Sequence, residues 1–243
     1  MITTRSLKLP CYMTDFRYRM RPTAFMDLAQ QIGEDDAEEN GFGFSFLRER
    51  GLAWVLARQN VEFYALPRFK DQLEMQTWHR GVTGPFYIRD YRLIGADGEV
   101  AVASSSSWVL LDLNTRAMVM PGRVDVPMLE DAAPGQHALE AYAAKVLSPR
   151  GVPAVKAGER IAVFSDIDYN NHVNNVRYIG WAMDVLPLDL LAENPLRRLS
   201  INFNHEVHPG ETVELYIQKS PSGEFFVEGR VESRQAFIVR LEV

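Results

Sequence analysis

The sequence predicts an α+β protein made of two similar halves, each with a strand, one amphipathic helix and several antiparallel strands. Apolar residues recur with helical spacing from Phe25 to Ile32 and again from Val176 to Met183, which predicts one buried helix face in each half. After each helix the pattern changes to the alternation typical of strands, interrupted by turn residues such as Gly84-Pro85. The same order of elements therefore occurs twice along the chain.

In the first half, a strand and a turn are predicted within residues 7–20, followed by a helix that begins at Pro22 and stops at Gly41. Residues 41–46 are predicted to form a loop with aromatic anchors. Strands are then predicted over Leu52–Val55, Gln59–Tyr64, Gln72–Trp78, Tyr87–Ile94 and Val100–Leu111.

A proline-rich stretch separates the halves. Prolines at 121, 127, 134, 149 and 153 predict a connector with a short helix at 138–146. The predicted organisation is thus an N-terminal half at 1–125, a linker at 126–156 and a C-terminal half at 157–243. The C-terminal half has a predicted helix at 175–186 and strands at Arg160–Phe164, Arg198–Asn204, Glu211–Lys219, Phe225–Glu232 and Ala236–Val243.

Composition narrows the class of protein. The 243 residues carry a formal net charge of −6, which does not favour a general nucleic-acid-binding surface. No apolar run is long enough for a signal peptide or a membrane helix. Cys11 is the only cysteine, so it cannot form an internal disulfide, and we expect it to be buried and inert. A cytoplasmic location is expected.

The two halves share a weak internal repeat. Asp15 aligns with Asp166, and later Val61–Phe63 aligns with Ile201–Phe203. In this alignment the second half has a polar group that the first half lacks, which leaves the first half free to hold an apolar ligand chain. The residue pairs in question are Arg17 with Asp168, Arg19 with Asn170, Arg21 with His172, and Leu66 with Glu206. Chance similarity between amphipathic segments is the alternative.

Three side chains suited to proton transfer and oxyanion binding, Asp168, Asn170 and His172, lie within five residues. In an extended segment, residues two apart point to the same side, so the three could converge. The asparagines that follow, including Asn174, are good caps for the helix behind them. The alternative is an asparagine-rich capping loop with a surface histidine.

Other chemistries find less support. There is no Gly-x-Ser-x-Gly motif of a serine hydrolase. His205 and His208 are an odd number of residues apart, which places them on opposite faces of a strand and argues against a metal pair. Gly41-Phe-Gly43 lacks the third glycine of a dinucleotide fingerprint. We therefore expect neither a metal nor a cofactor.

The stretch Asp168-Tyr-Asn-Asn-His-Val-Asn-Asn-Val-Arg-Tyr-Ile-Gly-Trp181 resembles the signature Asp-x-Asn-x-His-Val-Asn-Asn-Val-Lys-Tyr-Ile-Gly-Trp of the acyl-acyl carrier protein thioesterases of plants and bacteria. The segment Gly51–Arg58 is similar to the family's Arg-Gly-Leu-x-Trp-Val-x-x-Arg, and Asn204–Gly210 lies where the family has an essential glutamate. The resemblance implies a tandem hotdog fold, in which each half is an antiparallel sheet wrapped around a long helix.

This resemblance also implies an activity, the hydrolysis of fatty acyl-acyl carrier protein, which releases a free fatty acid and terminates fatty acid synthesis. The implied catalytic residues are Asp168, Asn170, His172 and Glu206. Glu206 and His172 would activate water, and Asp168 would orient His172. Many plant members have cysteine directly after the glutamate; here that residue is Val207, which favours water as the nucleophile.

The implied partner is a small acidic carrier protein, so a basic patch is expected at Arg17, Arg19 and Arg21 or at Arg177, Arg197 and Arg198. The candidate substrate-binding residues, which would line an apolar slot in the first half, are Phe25, Leu28, Ile32, Trp54 and Leu56. Two other functions stay open: a hotdog thioesterase for acyl-coenzyme A, and a non-catalytic acyl-binding module. A homodimer is also compatible with the fold.

Overall fold

The computed structural model describes residues 1–124, 126 and 130–243. The chain forms two compact units, Met1–Ala144 and Lys145–Val243. Each unit consists of an antiparallel sheet with a helix packed against it, which confirms the predicted α+β class and the tandem hotdog architecture. No helix in the described residues is both long and apolar enough to cross a bilayer.

Unit 1 contains six strands and two α-helices in its described residues. The elements are β1 (Thr3–Lys8), α1 (Pro22–Glu39), α2 (Phe44–Glu49), β2 (Leu52–Phe63), β3 (Gln72–Thr83), β4 (Phe86–Ile94), β5 (Val100–Asp112) and β6 (Met118–Val119). The sheet order is β1-β3-β4-β5-β2, and the short β6 pairs with β5. All of these pairings are antiparallel.

Unit 2 has the same connectivity with fewer residues. The elements are β7 (Val155–Ile161), α3 (Asn175–Asp184), α4 (Leu188–Glu193), β8 (Arg198–Phe203), β9 (Thr212–Lys219), β10 (Phe225–Val231) and β11 (Arg234–Glu242). The sheet order is β7-β9-β10-β11-β8, so every strand of unit 2 has a topological equivalent in unit 1. The predicted internal duplication is therefore present in the backbone.

Helix α1 buries the face that the sequence predicted, with Phe25 and Ile32 almost fully inaccessible. It ends at Glu39, just before Gly41, whose positive φ of 77° suits a residue without Cβ. The loop predicted over 41–46 is wrong in its second part, because α2 already begins at Phe44. The Glu38 carboxylate accepts the Ser45 N–H of that first turn at 3.2 Å.

The helix predicted at 138–146 is absent; the chain there has no regular structure. Arg80, on the sheet, binds two carbonyls that a helix at 138–146 would have used, and Arg92 binds the two carbonyls just before it. Arg80 donates to the carbonyl oxygens of Leu139 and Glu140, at 2.8 and 2.9 Å, and Arg92 donates to those of Gln136 and His137. The boundary between the two compact units falls inside the stretch that the sequence predicts as a linker.

The face of the unit 1 sheet that meets α1 is unusually polar. Arg89 on β4 donates to the Asp36 carboxylate of α1 at 2.6 Å and to the Thr77 hydroxyl at 3.2 Å, and both charged groups are buried. Asp36 also accepts hydrogen bonds from the Thr3 hydroxyl and the Asn40 amide. Both oxygens of the Asp36 carboxylate thus accept hydrogen bonds, which offsets part of the cost of burying this ion pair.

Candidate active site in the second unit

The residues around Asp168 form a tight turn between a one-turn 3₁₀ helix, Phe164–Asp166, and α3. The Asp168 N–H donates to the His172 carbonyl at 2.9 Å, and the Asn171 N–H donates to the Asp168 carbonyl at 3.0 Å. Asn171 has φ of +63°, a conformation that asparagine tolerates better than most residues. The extended segment expected from the sequence is therefore wrong, because residues 168–172 close back on themselves.

An equivalent turn exists in unit 1. There the Asp15 N–H donates to the Arg19 carbonyl, the Tyr18 N–H donates to the Asp15 carbonyl, and Tyr18 has φ of +62°. The sequence alignment of Asp15 with Asp166 is thus wrong by two residues, since hydrogen bonding pairs Asp15 with Asp168. The later part of the repeat is confirmed: β2 ends at Phe63 and β8 ends at Phe203.

The corrected alignment changes the comparison between the halves. Unit 1 retains the aspartate of the turn, and it differs at the other three positions. Arg17 stands for Asn170, Arg19 for His172 and Leu66 for Glu206. Only unit 2 has a base and a carboxylate at these positions.

His172 and Glu206 come together in unit 2. The His172 Nε2 lies 3.5 Å from the Glu206 Oε2, and their side chains are 26% and 29% exposed. This separation is slightly longer than a typical hydrogen bond, and both side chains remain accessible to solvent. The His208 ring packs edge-on against the His172 ring, with centroids 5.5 Å apart. The structure therefore brings the side chains of His172 and Glu206 together.

Two hydrogen bonds fix the loop that presents Glu206. The Val173 N–H donates to the Val207 carbonyl at 2.8 Å, and the Val207 N–H donates to the Tyr178 hydroxyl at 3.2 Å. Tyr178 is buried and stacks on Phe237, 4.8 Å between ring centroids. Burial raises the pKa of Tyr178, with Glu206 adding a smaller electrostatic contribution in the same direction, so the hydroxyl stays neutral.

Tyr178 and His208 were not predicted as site residues. Tyr178 lies within the stretch Asp168–Trp181, one helix turn after Asn174. Its place in that stretch is the only feature of the sequence that could have indicated a role in the site. His208 was considered only as half of a metal pair. Among residues 1–124, 126 and 130–243, no three histidine, cysteine or acidic side chains gather closely enough to hold a metal ion.

Asp168 and Asn170 occupy different places from those expected. Within the described residues, no hydrogen bond or ion pair joins the Asp168 carboxylate to the His172 imidazole; that carboxylate accepts the Asn170 N–H at 2.8 Å. The link to His172 runs through the main chain of the turn. Asn170 itself is exposed to solvent. The three side chains therefore do not converge through the alternation of an extended strand, because residues 168–172 form a turn.

Helix α3 begins as predicted with an asparagine cap. The Asn174 side chain accepts the Val176 N–H at 2.9 Å, so this N–H of the first turn is already occupied. Five apolar or aromatic residues of the helix are buried, Tyr178 and Ile179 among them. The cap and this buried face hold the helix start next to the turn.

The five candidate substrate-binding residues lie in unit 1. Phe25 and Ile32 on α1 and Leu56 on β2 are buried, whereas Leu28 and Trp54 are half-buried. The Trp54 Nε1–H donates to the Phe42 carbonyl at 2.9 Å. Cys11 also lies in unit 1, and the expectation that it is buried is wrong: it begins a surface 3₁₀ turn and is exposed.

Comparisons with known proteins match both halves of the chain to one family. The acyl-ACP thioesterase N-terminal domain matches residues 1–124, and the acyl-ACP thioesterase C-terminal domain matches residues 156–239. Among curated proteins, an oleoyl-acyl carrier protein thioesterase of Coriandrum sativum is 26% identical over 226 residues, covering 84% of this chain and 59% of that protein. A palmitoyl-acyl carrier protein thioesterase of Cuphea hookeriana is 28% identical over 220 residues, covering 84% of this chain and 49% of the relative. The chain thus spans between about half and three fifths of the length of these relatives.

Solved structures show the same fold. An acyl-ACP thioesterase from Bacteroides thetaiotaomicron aligns with a TM-score of 0.84 at 24% identity, covering 99% of this chain and 96% of that one. A 12:0-ACP thioesterase from Umbellularia californica aligns with a TM-score of 0.85 at 18% identity, with coverage of 99% and 96%. Together with the two domain matches, these findings show that the chain belongs to the acyl-ACP thioesterase family.

Proposed function

We propose that this protein hydrolyses the thioester of a fatty acyl-acyl carrier protein, which releases the free fatty acid and ends its synthesis. The observation that carries the proposal is the approach of the His172 Nε2 to the Glu206 Oε2, 3.5 Å, in a chain of this family. A base and a carboxylate side by side and open to solvent can take a proton from water.

In the proposed reaction, water loses a proton to the His172–Glu206 pair as its oxygen bonds to the thioester carbonyl carbon. The tetrahedral intermediate then collapses, the carbon–sulfur bond breaks, and the pair returns the proton to the departing thiolate. The products are the fatty acid and the carrier thiol. Val207, which follows the glutamate, has no nucleophilic atom, and water as the attacking group is consistent with that.

The developing oxyanion needs hydrogen-bond donors. Since the Val176 N–H is taken by the Asn174 cap, the Asn175 N–H is the candidate in the first turn of α3. The Asn170 amide is a second candidate, because that residue is exposed and lies in the same turn as His172. Asp168 acts in this proposal as a positioning residue, through the turn that it stabilises.

Two substitutions test the catalytic pair. Glu206→Gln removes the base with little change in shape, and His172→Ala removes the imidazole. We expect each to lower kcat by roughly 100-fold or more, measured as thiol release from a purified acyl-carrier substrate. Neither change should lower the thermal unfolding midpoint substantially, since both side chains are partly exposed.

His205→Ala and Glu193→Gln are matched controls, because both residues are exposed and belong to the same unit. They should leave kcat unchanged. Full activity in Glu206→Gln or His172→Ala would refute the assignment, and binding of acyl groups without any turnover would favour a non-catalytic acyl-binding module.

The choice of carrier is tested by comparing one acyl group on carrier protein and on coenzyme A. We expect a higher kcat/KM for the carrier substrate. A preference for coenzyme A would make the protein a hotdog acyl-coenzyme A thioesterase.

Three further statements stay predictions. They are the cytoplasmic location, the division of the chain at 1–125, 126–156 and 157–243, and the acyl slot, whose predicted lining residues are Phe25, Leu28, Ile32, Trp54 and Leu56.

A further inference from the structure

The turn of unit 1 that matches the active-site turn is rich in cations. Residues 11–21 contain Arg17, Arg19 and Arg21 against a single acidic residue, Asp15, and residues 64–72 add Arg68 and Lys70 against Asp71. The two segments lie side by side. Arg19 and Arg68 are bridge partners, and the Phe69 N–H donates to the Tyr18 carbonyl at 2.9 Å.

The equivalent segments of unit 2 have the opposite charge. Residues 164–174 and 204–212 contain Asp166, Asp168, Glu206 and Glu211 and no lysine or arginine. Corresponding main-chain hydrogen bonds are present in both units: the Lys70 N–H donates to the Leu9 carbonyl as the Gly210 N–H donates to the Ala162 carbonyl. The same backbone arrangement therefore presents an acidic surface in unit 2 and a cationic surface in unit 1. The cationic surface occurs in a chain whose net charge is −6.

The acidic groups within the cationic segments are engaged locally. The Asp15 carboxylate accepts the Arg17 N–H and the Arg19 Nε–H, and the Asp71 carboxylate accepts the Arg68 N–H at 2.7 Å. In the described part of the chain, the exposed guanidinium groups of Arg17 and Arg68 form no ion pair. Their charge is therefore available to an external partner.

Three aromatic side chains lie exposed beside these arginines. Tyr12, Phe16 and Tyr18 are 70%, 63% and 66% exposed. A lone anion such as phosphate gains little from aromatic rings, whereas exposed tyrosine and arginine together are typical of protein-binding hot spots. The second arginine cluster predicted from the sequence lacks this character, because Arg177 pairs with Asp166 at 3.9 Å and Arg198 with Glu242 at 3.6 Å.

We infer that Tyr12, Phe16, Arg17, Tyr18 and Arg68, here called the cationic turn surface, dock an acidic face of the carrier protein. This inference rests on the proposed function, which supplies an acidic protein as the partner. Attraction between opposite charges would speed the encounter and weaken with added salt, while the aromatic rings would hold the complex once water is excluded. The first copy of the duplicated scaffold thus binds the carrier while the second performs the chemistry.

Charge reversal tests this surface. In the full-length protein, Arg17→Glu and Arg68→Glu should each raise the Kd for a purified apo-acyl carrier protein roughly tenfold at low salt, measured by fluorescence anisotropy of the labelled carrier. Arg150→Glu is the matched control, because Arg150 is exposed and lies outside both segments. It should change the Kd much less.

A kinetic split separates docking from catalysis. We expect both variants to raise KM for the acyl-carrier substrate and to leave kcat on a small acyl-pantetheine thioester unchanged. An unchanged carrier Kd in both variants overturns the inference. The inference is also overturned if the variants lose binding to vesicles containing anionic phosphatidylglycerol but not to the carrier protein. That result would identify the surface as a lipid contact. Absence of hydrolysis with carrier binding intact would instead refute the proposed function alone.

Cys11 provides an independent readout. It is the only cysteine and is exposed, and it adjoins Tyr12 in the same 3₁₀ turn. Saturating apo-carrier protein should slow its reaction with a maleimide several-fold, and Arg17→Glu should abolish this protection. An unchanged labelling rate in wild-type protein at a carrier concentration that saturates binding would place the contact elsewhere.

Discussion

Asp15 and Asp168 perform the same structural task in the two units. Each carboxylate accepts the N–H of the residue two positions later, Arg17 and Asn170 respectively, at 2.8 Å. The turn therefore forms with or without the His172–Glu206 pair, because unit 1 has the aspartate and lacks both the histidine and the glutamate. This indicates that the carboxylate of Asp168 shapes the turn. In the proposed mechanism, His172 and Glu206 carry out the proton transfer.

Replacement of Asp168 separates shape from chemistry. Asp168→Ala removes the acceptor for the Asn170 N–H and should destabilise the fold by about 1 kcal/mol, with a marked loss of kcat as His172 shifts. Asp168→Asn keeps an acceptor oxygen and should retain more of the activity. Chemical denaturation and thiol-release kinetics on the same preparations give both quantities.

Asp15→Ala is the matching change in unit 1. It should cost a similar free energy of unfolding, with an extra loss from the Arg19 ion pair, and leave kcat on a small thioester unaffected. If Asp168→Asn proves as inactive as Glu206→Gln, the carboxylate has a direct chemical role.

Tyr178→Phe should weaken the loop that carries Glu206. The change leaves the buried Val207 N–H without its acceptor, which costs roughly 1–3 kcal/mol. Glu206 then loses its fixed distance from His172, so kcat should fall while KM changes little. Tyr216→Phe is the control, because it removes a hydroxyl that donates to Glu214 on β9, away from the turn. Equal kinetic effects of the two substitutions would exclude the positioning role.

The pH dependence of stability should have a component from His79. Burial lowers the pKa of this residue from 6.5 to about 4. Its Nδ1 lies 3.2 Å from both the Glu130 carbonyl oxygen and the Gly81 nitrogen. Between those pH values the unfolded chain binds a proton that the folded chain does not, so stability is fully present above pH 6.5 and falls as the pH drops toward 4. The slope is at most about 1.4 kcal/mol per pH unit.

Urea unfolding at pH 7.5 and pH 5 measures this dependence. His79→Gln should reduce the difference between the two pH values, whereas His205→Gln, at an exposed histidine, should not. The same difference in all three proteins would show that His79 is not its source.

The Asp36–Arg89 ion pair should be strongly context-dependent. Asp36→Ala leaves a buried guanidinium without its carboxylate and should destabilise the protein by roughly 3–5 kcal/mol. The double variant Asp36→Leu with Arg89→Met removes both charges and should recover part of this loss. Thermal and urea unfolding of the single and double variants test the coupling, and simple additivity would contradict it.

Much of the fold follows from local patterns in the sequence. Helix α1 and the paired strands were predictable because apolar periodicity reports which face is buried, as at Phe25 and Ile32. The segment 138–146 was not, since the carbonyls of Leu139 and Glu140 accept hydrogen bonds from Arg80, which is distant in the sequence. The structure also corrects the repeat alignment, because matching Asp15 to Asp166 maximised identities while the hydrogen bonds select Asp168.

The candidate site was predictable in its chemistry and less so in its geometry. His172 was predicted from the signature and Glu206 from the segment Asn204–Gly210, and the structure brings them together. The hydrogen bond from the Val207 N–H to the Tyr178 hydroxyl could not be predicted from the sequence, because it joins α3 to a loop 29 residues away. The cationic character of the unit 1 turn follows from the arginines in the sequence. The equivalence of this turn to the candidate-site turn of unit 2 follows only from the main-chain hydrogen bonds.

The residue-for-residue match between the two turns offers a route for protein engineering. Since the main chain of unit 1 already makes the supporting hydrogen bonds, Arg17→Asn, Arg19→His and Leu66→Glu together would transplant the constellation of unit 2. In a duplicated scaffold of this kind, both copies keep the main-chain framework, but only one copy has to keep the reacting residues. The other copy can therefore change its surface charge without altering the reacting residues of the first.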